Sequence, residues 1–135
     1  MKVHDVMNRN VIACNPKEKI TTILNKLRLF RISGMPVSDG KSIKGIISEK
    51  DILNKIQEIT KETSVNLEQS LEKADFPVSD IMTRDVVTVA PADSIDSVVK
   101  LMIKRKINRI PVVVEGKIVG IVTRGDVISA LAELG

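Results

Sequence analysis

The chain is written twice. Sliding its 135 residues by 75 positions lays residues 5–56 on residues 80–131 without a gap. Identical pairs run through the overlap: Asp5/Asp80, Met7/Met82, Arg9/Arg84, Val11/Val86, Pro16/Pro91, Ile20/Ile95 and Ile32/Ile107, then Pro36/Pro111, Val37/Val112, Ile43/Ile118, Gly45/Gly120, Ile46/Ile121 and Asp51/Asp126. Most other aligned positions keep their apolar or polar character, as in Ile47/Val122 and Ser48/Thr123. A duplication of one supersecondary unit accounts for this register, and it constrains the fold more than any single motif. A unit of about 55 residues exposes too much surface to be comfortable alone, so two halves sharing one core is the expected solution.

Each copy reads β-α-β-β-α, which makes the expected fold class α+β with two repeats related by pseudo-twofold symmetry. Val11-Ile12-Ala13-Cys14 and Val86-Val87-Thr88-Val89 are short β-branched runs, each followed by a proline two residues on. Helical spacing of apolar residues follows, at Ile20, Ile23, Leu24 and Leu27 and at Ile95, Val98, Val99 and Met102, with Asp93 and Ser94 as N-cap candidates. Two strands come next, Met35–Ser38 and Ile43–Ile47 around Asp39-Gly40, and Ile110–Val114 and Ile118–Val122 around Glu115-Gly116. A last helix starts near Ser48 or Thr123. The expected organisation is one repeat over 1–58, a partly helical linker over 59–76, and a second repeat over 77–135. The acidic stretch 57–78 extends the preceding helix in part, and Phe76-Pro77 closes it. Charge is distributed as +6 over 1–56, −3 over 57–78 and +1 over 79–135.

Composition excludes several functions. One cysteine, Cys14, and one histidine, His4, leave nothing for a disulfide, a thiolate zinc site, a Cys/His pair or a Ser/His/Asp triad. The reading is therefore not an enzyme. Phe30 and Phe76 are the sole aromatic residues, too few for a base-stacking platform. No apolar run approaches the ~18 residues a membrane span needs, and the N-terminus is not a signal peptide, so a cytoplasmic protein is expected.

Three repeated features each admit two readings. Ser48…Asp51 and Thr123…Asp126 are hydroxyl-x-x-acid spacings at a strand-to-helix junction, which is the pattern of a capping box. The same geometry offers a phosphate the N–H groups and partial positive charge of a helix N-terminus, and offers vicinal ribose hydroxyls a carboxylate. Ile32-Ser33-Gly34-Met35-Pro36-Val37 and Ile107-Asn108-Arg109-Ile110-Pro111-Val112 are either strand starts with core neighbours or extended backbone facing a planar base. In the second reading Arg109 stands near a phosphate. Val11–Ala13 and Val86–Thr88 are either core strands or the walls of a base-binding cleft. Basic residues Arg28, Arg31, Lys104, Arg105 and Lys106 are a solvated helix face or a nucleic-acid patch.

Taken in order and in duplicate, the openings Asp5-Val6-Met7 and Asp80-Ile81-Met82, the prolines, Met35-Pro36-Val37 and Ile110-Pro111-Val112, and Gly45…Ser48…Asp51 and Gly120…Thr123…Asp126 resemble a tandem pair of cystathionine β-synthase (CBS) domains, the Bateman module. The resemblance spans nearly the whole chain. It implies two units packed sheet to sheet, with clefts for adenosine-containing ligands: AMP, ADP, ATP or S-adenosylmethionine. It places one ligand at Ser33, Gly34, Met35, Ser48 and Asp51, walled by Val86, Val87 and Thr88. A second falls at Asn108, Arg109, Ile110, Thr123 and Asp126, walled by Val11, Ile12 and Ala13. The aspartate would hold ribose, and the hydroxyl would contact ribose or phosphate. Copy one has Gly34 where copy two has Arg109, and Ala13 where copy two has Thr88, so unequal sites are expected. The resemblance further implies a regulatory, energy-sensing homodimer that signals to an effector protein. The alternatives are a nucleic-acid-binding accessory and a ligand-free assembly module.

Overall fold

A computed structural model describes residues 1–63, 66–73 and 75–135. Its elements are α1 (Val3–Val6), α2 (Ile20–Phe30), β1 (Gly34–Ser38), β2 (Ile43–Ser48), α3 (Glu49–Thr63), α4 (Leu67–Lys73), a 3-10 turn over Val78–Asp80, α5 (Ile95–Arg105), β3 (Arg109–Val114), β4 (Lys117–Thr123) and α6 (Arg124–Leu134). The helix–hairpin–helix order recurs at the expected offset. Helix α2 buries Ile20, Ile23 and Leu27, and α5 buries Ile95 and Val98. Ser94 caps α5 by accepting from the Ser97 N–H at 3.1 Å, whereas Asp93 accepts from the Ala90 N–H. The acidic connection is helical on both sides of the undescribed residues 64 and 65. Helix α4 ends at Lys73, and Phe76-Pro77 instead returns to α2: the Ile20 N–H donates to the Phe76 carbonyl at 3.1 Å.

Both hairpins are antiparallel and share a register. Gly34 faces Ser48 and Val37 faces Gly45 in one; Arg109 faces Thr123 and Val112 faces Gly120 in the other. Each ladder shifts at the same point, between Val37 and Ser38 and between Val112 and Val113. The turn between β3 and β4 carries positive φ at both Glu115 (52°) and Gly116 (81°), the backbone of a two-residue hairpin that follows strand twist. Between β1 and β2 the loop is longer. There Asp39 accepts from the Lys41 and Ser42 N–H groups, which holds its carboxyl below the usual range.

The strand expected at the start of each copy is reduced to one bridge, Cys14 to Val37 and Val89 to Val112, both parallel. Prolines explain the truncation. The Cys14 N–H donates to the Pro36 carbonyl and the Ser38 N–H donates to Cys14. Extending the ladder backward needs an N–H at Pro36, and extending it forward needs one at Pro16; neither exists. Pro111 and Pro91 impose the same limit around Val89.

One shared core was expected, but the buried residues form two clusters. Cys14, Ile20, Ile23, Leu27, Met35, Val37, Ile47, Ile52, Val78 and Met82 make the first. Val3, Val89, Ile95, Val98, Ile110, Val112, Val122 and Val127 make the second. The compact units that hold them are 12–86 and 1–11 with 87–135. Each repeat's leading segment therefore serves the other repeat's hairpin. Val3 and Val78, equivalent by the offset of 75, are both fully buried in that exchanged setting. Asn8 exchanges two backbone bonds with Ile121 (2.8 and 3.0 Å), and Thr83 does the same with Ile46 (2.8 and 2.9 Å).

Methionine follows the leader into each hairpin and lies against a glycine. A Cβ at Gly45 would sit 2.8 Å from Met82 Sδ and 2.8 Å from the Thr83 carbonyl oxygen; one at Gly120 would sit 2.6 Å from Met7 Sδ and 3.3 Å from the Asn8 oxygen. Backbone cannot yield as a thioether can. Gly45→Ala is expected to destabilise by about 3 kcal/mol and Gly120→Ala by about 1 kcal/mol in denaturant unfolding. Equal costs would show that the leader at Thr83 gives way as easily as a side chain.

Burial pushes the Cys14 thiol up to about 12, with the Glu18 charge adding to the rise and Lys26 opposing it. Between about pH 9 and 12 the unfolded chain gives up a proton that the folded chain keeps. Stability should fall as pH rises through that window, by about 1.4 kcal/mol per pH unit relative to Cys14→Ala. Parallel stability–pH curves for the two proteins would contradict this origin.

Candidate functional site

The sequence places chemistry at the corner where a strand hands over to a helix, and the structure builds two such corners. In unit 12–86, Ser48 ends β2 and Asp51 lies in the first turn of α3. Asp51 Oδ2 accepts from the Ser48 N–H at 3.0 Å and the Ser48 hydroxyl at 3.0 Å, while the Asp51 N–H donates to Ser48 Oγ at 3.3 Å. In the other unit Thr123 caps α6: Asp126 Oδ2 accepts from the Thr123 N–H at 2.9 Å, and the Asp126 N–H donates to Thr123 Oγ1 at 3.2 Å. Both are reciprocal capping boxes, so the spacing has its structural role. The carboxylates stay half-buried rather than sealed, with acceptor capacity beyond these bonds.

The segment before each hairpin folds against the same corner. The Glu49 N–H donates to the Ser33 carbonyl at 2.9 Å, and the Arg124 N–H donates to the Asn108 carbonyl at 2.8 Å. Gly34 pairs with Ser48 and Arg109 with Thr123. Directly opposed residues of an antiparallel pair project from one face, so Arg109 shares a face with the Thr123 hydroxyl. Ser33, Gly34, Ser48 and Asp51 thus converge in one unit, and Asn108, Arg109, Thr123 and Asp126 in the other. Met35 and Ile110 differ: both are 0% exposed with side chains in the cores, so they can offer a ligand backbone only.

Wall residues fall where the chain passes between units. Val86 belongs to unit 12–86, and Val87 and Thr88 to the other; Val11 belongs with 87–135, and Ile12 and Ala13 with 12–86. All six are half-buried. The Ala13 carbonyl accepts from Lys26 Nζ at 3.1 Å, and Lys26 is paired with Glu18 at 2.7 Å.

Thr83 was not anticipated. Its hydroxyl donates to Asp51 Oδ1 at 3.3 Å, from a leader 32 residues away in sequence. Only the exchange of leaders brings it there. At its equivalent, Asn8 Oδ1 accepts from the Asn10 N–H instead. The two corners are therefore dressed differently, which adds to the Gly34/Arg109 difference.

Other candidates are placed without chemistry. His4 Nδ1 lies 3.1 Å from its neighbour Asp5 on the surface, and Arg28 donates to Asn25. Among the described residues no group of three His, Cys, Asp or Glu could hold a metal ion, and no helix is long and apolar enough to cross a membrane. A cleft of about 420 Å3 opens between α5 and α6, lined by Val99, Met102, Ile103, Val127, Ile128 and Leu131, and it meets the candidate corner only at Asn108 and Arg124.

Comparison with known proteins agrees with this architecture. The CBS domain family matches residues 3–58 and 78–133, so the chain belongs to the CBS domain family and carries two copies. An uncharacterized protein of Methanocaldococcus jannaschii, MJ1426, is 36% identical over 97% of this chain and 91% of its own length. An inosine-5'-monophosphate dehydrogenase of Korarchaeum cryptofilum is 32% identical over 88% of this chain, which spans only 22% of that enzyme. Among solved structures, CBSX2 in complex with AMP superposes with a TM-score of 0.81 at 27% identity, covering 98% of this chain and 97% of that one. The CBS domain pair of MJ0100, from a structure with 5-methylthioadenosine and S-adenosyl-L-methionine, shares the fold, with a TM-score of 0.78 at 23% identity over 100% of this chain and 98% of that one.

The capping role has its own test. Ser48→Ala and Thr123→Ala should each cost about 1 kcal/mol in thermal unfolding without ligand. No loss in either variant would show that the boxes do not hold the helices.

Proposed function

We propose that the chain is a regulatory module, not an enzyme, that binds an adenosine-containing ligand at its two hydroxyl–carboxylate corners and signals to a partner protein. The supporting observation is convergence: at each corner a half-buried aspartate, a hydroxyl and the first turn of a helix meet the extended entry to a hairpin. An aspartate there suits two vicinal ribose hydroxyls, and the helix start suits a phosphate. Membership of the CBS domain family and likeness to a protein solved with AMP support the same ligand class. In this reading the base lies against backbone at Gly34–Met35 or Arg109–Ile110, with Val86, Val87 and Thr88 or Val11, Ile12 and Ala13 as walls. AMP, ADP, ATP and S-adenosylmethionine are the ligands to test.

A binding site signals only if the ligand prefers one conformation of the protein over another. The wall residues lie where the chain passes between units, so a ligand touching them would bias those passages. Exposed apolar residues on the helices, Leu29, Phe30 and Leu53 in one unit and Ile103, Ile128, Leu131 and Leu134 in the other, support a homodimer and an effector surface.

Calorimetric melting tests the ligand, since a chain without Trp or Tyr is nearly silent in fluorescence. A ligand at about 100 times its dissociation constant adds roughly 2.7 kcal/mol per site, enough to raise the Tm by several degrees. AMP or one of its relatives should produce that rise and GMP should not, and Asp51→Asn with Asp126→Asn should abolish it. No rise with any adenosine ligand, or an equal rise with GMP, would contradict the proposal.

A further inference from the structure

The two aspartates that the repeats share are not equally free to accept a hydrogen bond. A carboxylate offers about four lone-pair sites on its two oxygens. At Asp51 three donors occupy them: the Ser48 N–H and the Ser48 hydroxyl on Oδ2, each at 3.0 Å, and the Thr83 hydroxyl on Oδ1 at 3.3 Å. At Asp126 the described residues supply one donor, the Thr123 N–H on Oδ2 at 2.9 Å. Capping does not require the Thr83 contact, since the Thr123/Asp126 box closes without its counterpart.

The backbone holds Thr83 in place. Its N–H donates to the Ile46 carbonyl at 2.8 Å and its carbonyl accepts from the Ile46 N–H at 2.9 Å. A Cβ at Gly45 would come within 2.8 Å of the Thr83 carbonyl oxygen, so this leader runs close along β2. The equivalent leader pairs with Ile121 in the same way, but it brings Asn8, whose Oδ1 accepts from the Asn10 N–H in its own segment. The hydroxyl on Asp51 therefore comes from one sequence difference between the leaders, Thr83 against Asn8, on the same backbone.

A vicinal diol brings two hydroxyl donors to one carboxylate. Asp126 has room for both. Asp51 has room for one, and it accepts the second only where Thr83 gives up its place. We infer that Thr83 is a positioning residue that keeps Asp51 filled, so that a ribose engages Asp126 with its whole diol and Asp51 with half of it. This rests on the adenosine reading above, and it adds which corner binds first and what restrains the other.

AMP and 2'-deoxy-AMP differ by one hydroxyl of the diol, which makes them the probes. In isothermal titration calorimetry the wild-type protein should take one AMP per chain tightly, and prefer it to 2'-deoxy-AMP by about tenfold. Asp126→Asn should lose that tight site and the preference with it. Adding Thr83→Val should then raise AMP affinity about fivefold or more at the remaining corner and restore a preference for AMP over 2'-deoxy-AMP. Thr83→Ser in the same background keeps the hydroxyl and should do neither. Thr83 is exposed, and both substitutions retain its two backbone bonds, so circular dichroism should report an unchanged fold. Two equal AMP sites in the wild-type protein, no gain from Thr83→Val, or the same gain from Thr83→Ser would overturn the inference while leaving the adenosine sites standing. Absence of AMP binding in the wild-type protein and in every variant would remove the adenosine reading and this inference together.

Discussion

Everything else in the structure depends on the exchange of leading segments. A hairpin with a helix on either side leaves one side of its core open, and the cap comes from the other repeat: Val78 for the first hairpin and Val3 for the second. Each valine is fully buried, and full burial of a side chain of that size contributes about 1.5–2 kcal/mol. The methionine that follows lies against a glycine, where the hairpin backbone has room for a thioether but not for a Cβ. The next residue exchanges two backbone bonds with the strand. The interaction recurs at both ends because the gene segment was copied, and it makes each compact unit a product of both repeats.

That exchange also shapes the candidate site. It carries Thr83 to Asp51, and it turns Val11–Ala13 and Val86–Thr88 into the passages between units. Each corner is a helix cap, and in the proposed function the same residues would contact ligand. The capping bonds use one oxygen of each carboxylate and leave acceptor capacity on the other. Duplication supplied two such corners, and substitution at Gly34/Arg109, Glu49/Arg124 and Lys50/Gly125 made them different.

Most of the secondary structure was legible in the sequence because it follows local rules. Ile20, Ile23 and Leu27 recur at helical spacing and are buried; the β-branched runs around Pro36 and Pro111 pair as hairpins; Ser48…Asp51 and Thr123…Asp126 form the boxes their spacing describes. The reduced first strand was implicit in Pro16, Pro36, Pro91 and Pro111, whose missing N–H groups stop the ladder on both sides of one bridge. Leader exchange was not legible, for a physical reason. Val3 and Val78 are identical, as are Met7 and Met82, so either leader fits either core, and the chain carries no local signal of which it serves. Thr83 was hidden by the same ambiguity, since nothing in its own segment points to Asp51. Met35 and Ile110 sit in runs buried on successive positions, Gly34–Val37 and Ile110–Val112, so no polar–apolar alternation in the sequence marks which of these side chains enter the core.

The central claim is that the hydroxyl–aspartate corners are ligand sites as well as helix caps. Amide chemical-shift mapping of the isotopically labelled protein during an AMP titration tests it residue by residue. The account predicts saturable shifts at Arg109 and from Thr123 through Asp126, with the matching corner at Gly34 and Ser48 to Asp51 responding less. Shifts confined to Ile103, Ile128 and Leu131 around the α5–α6 cleft, or no shifts at millimolar AMP, would contradict it.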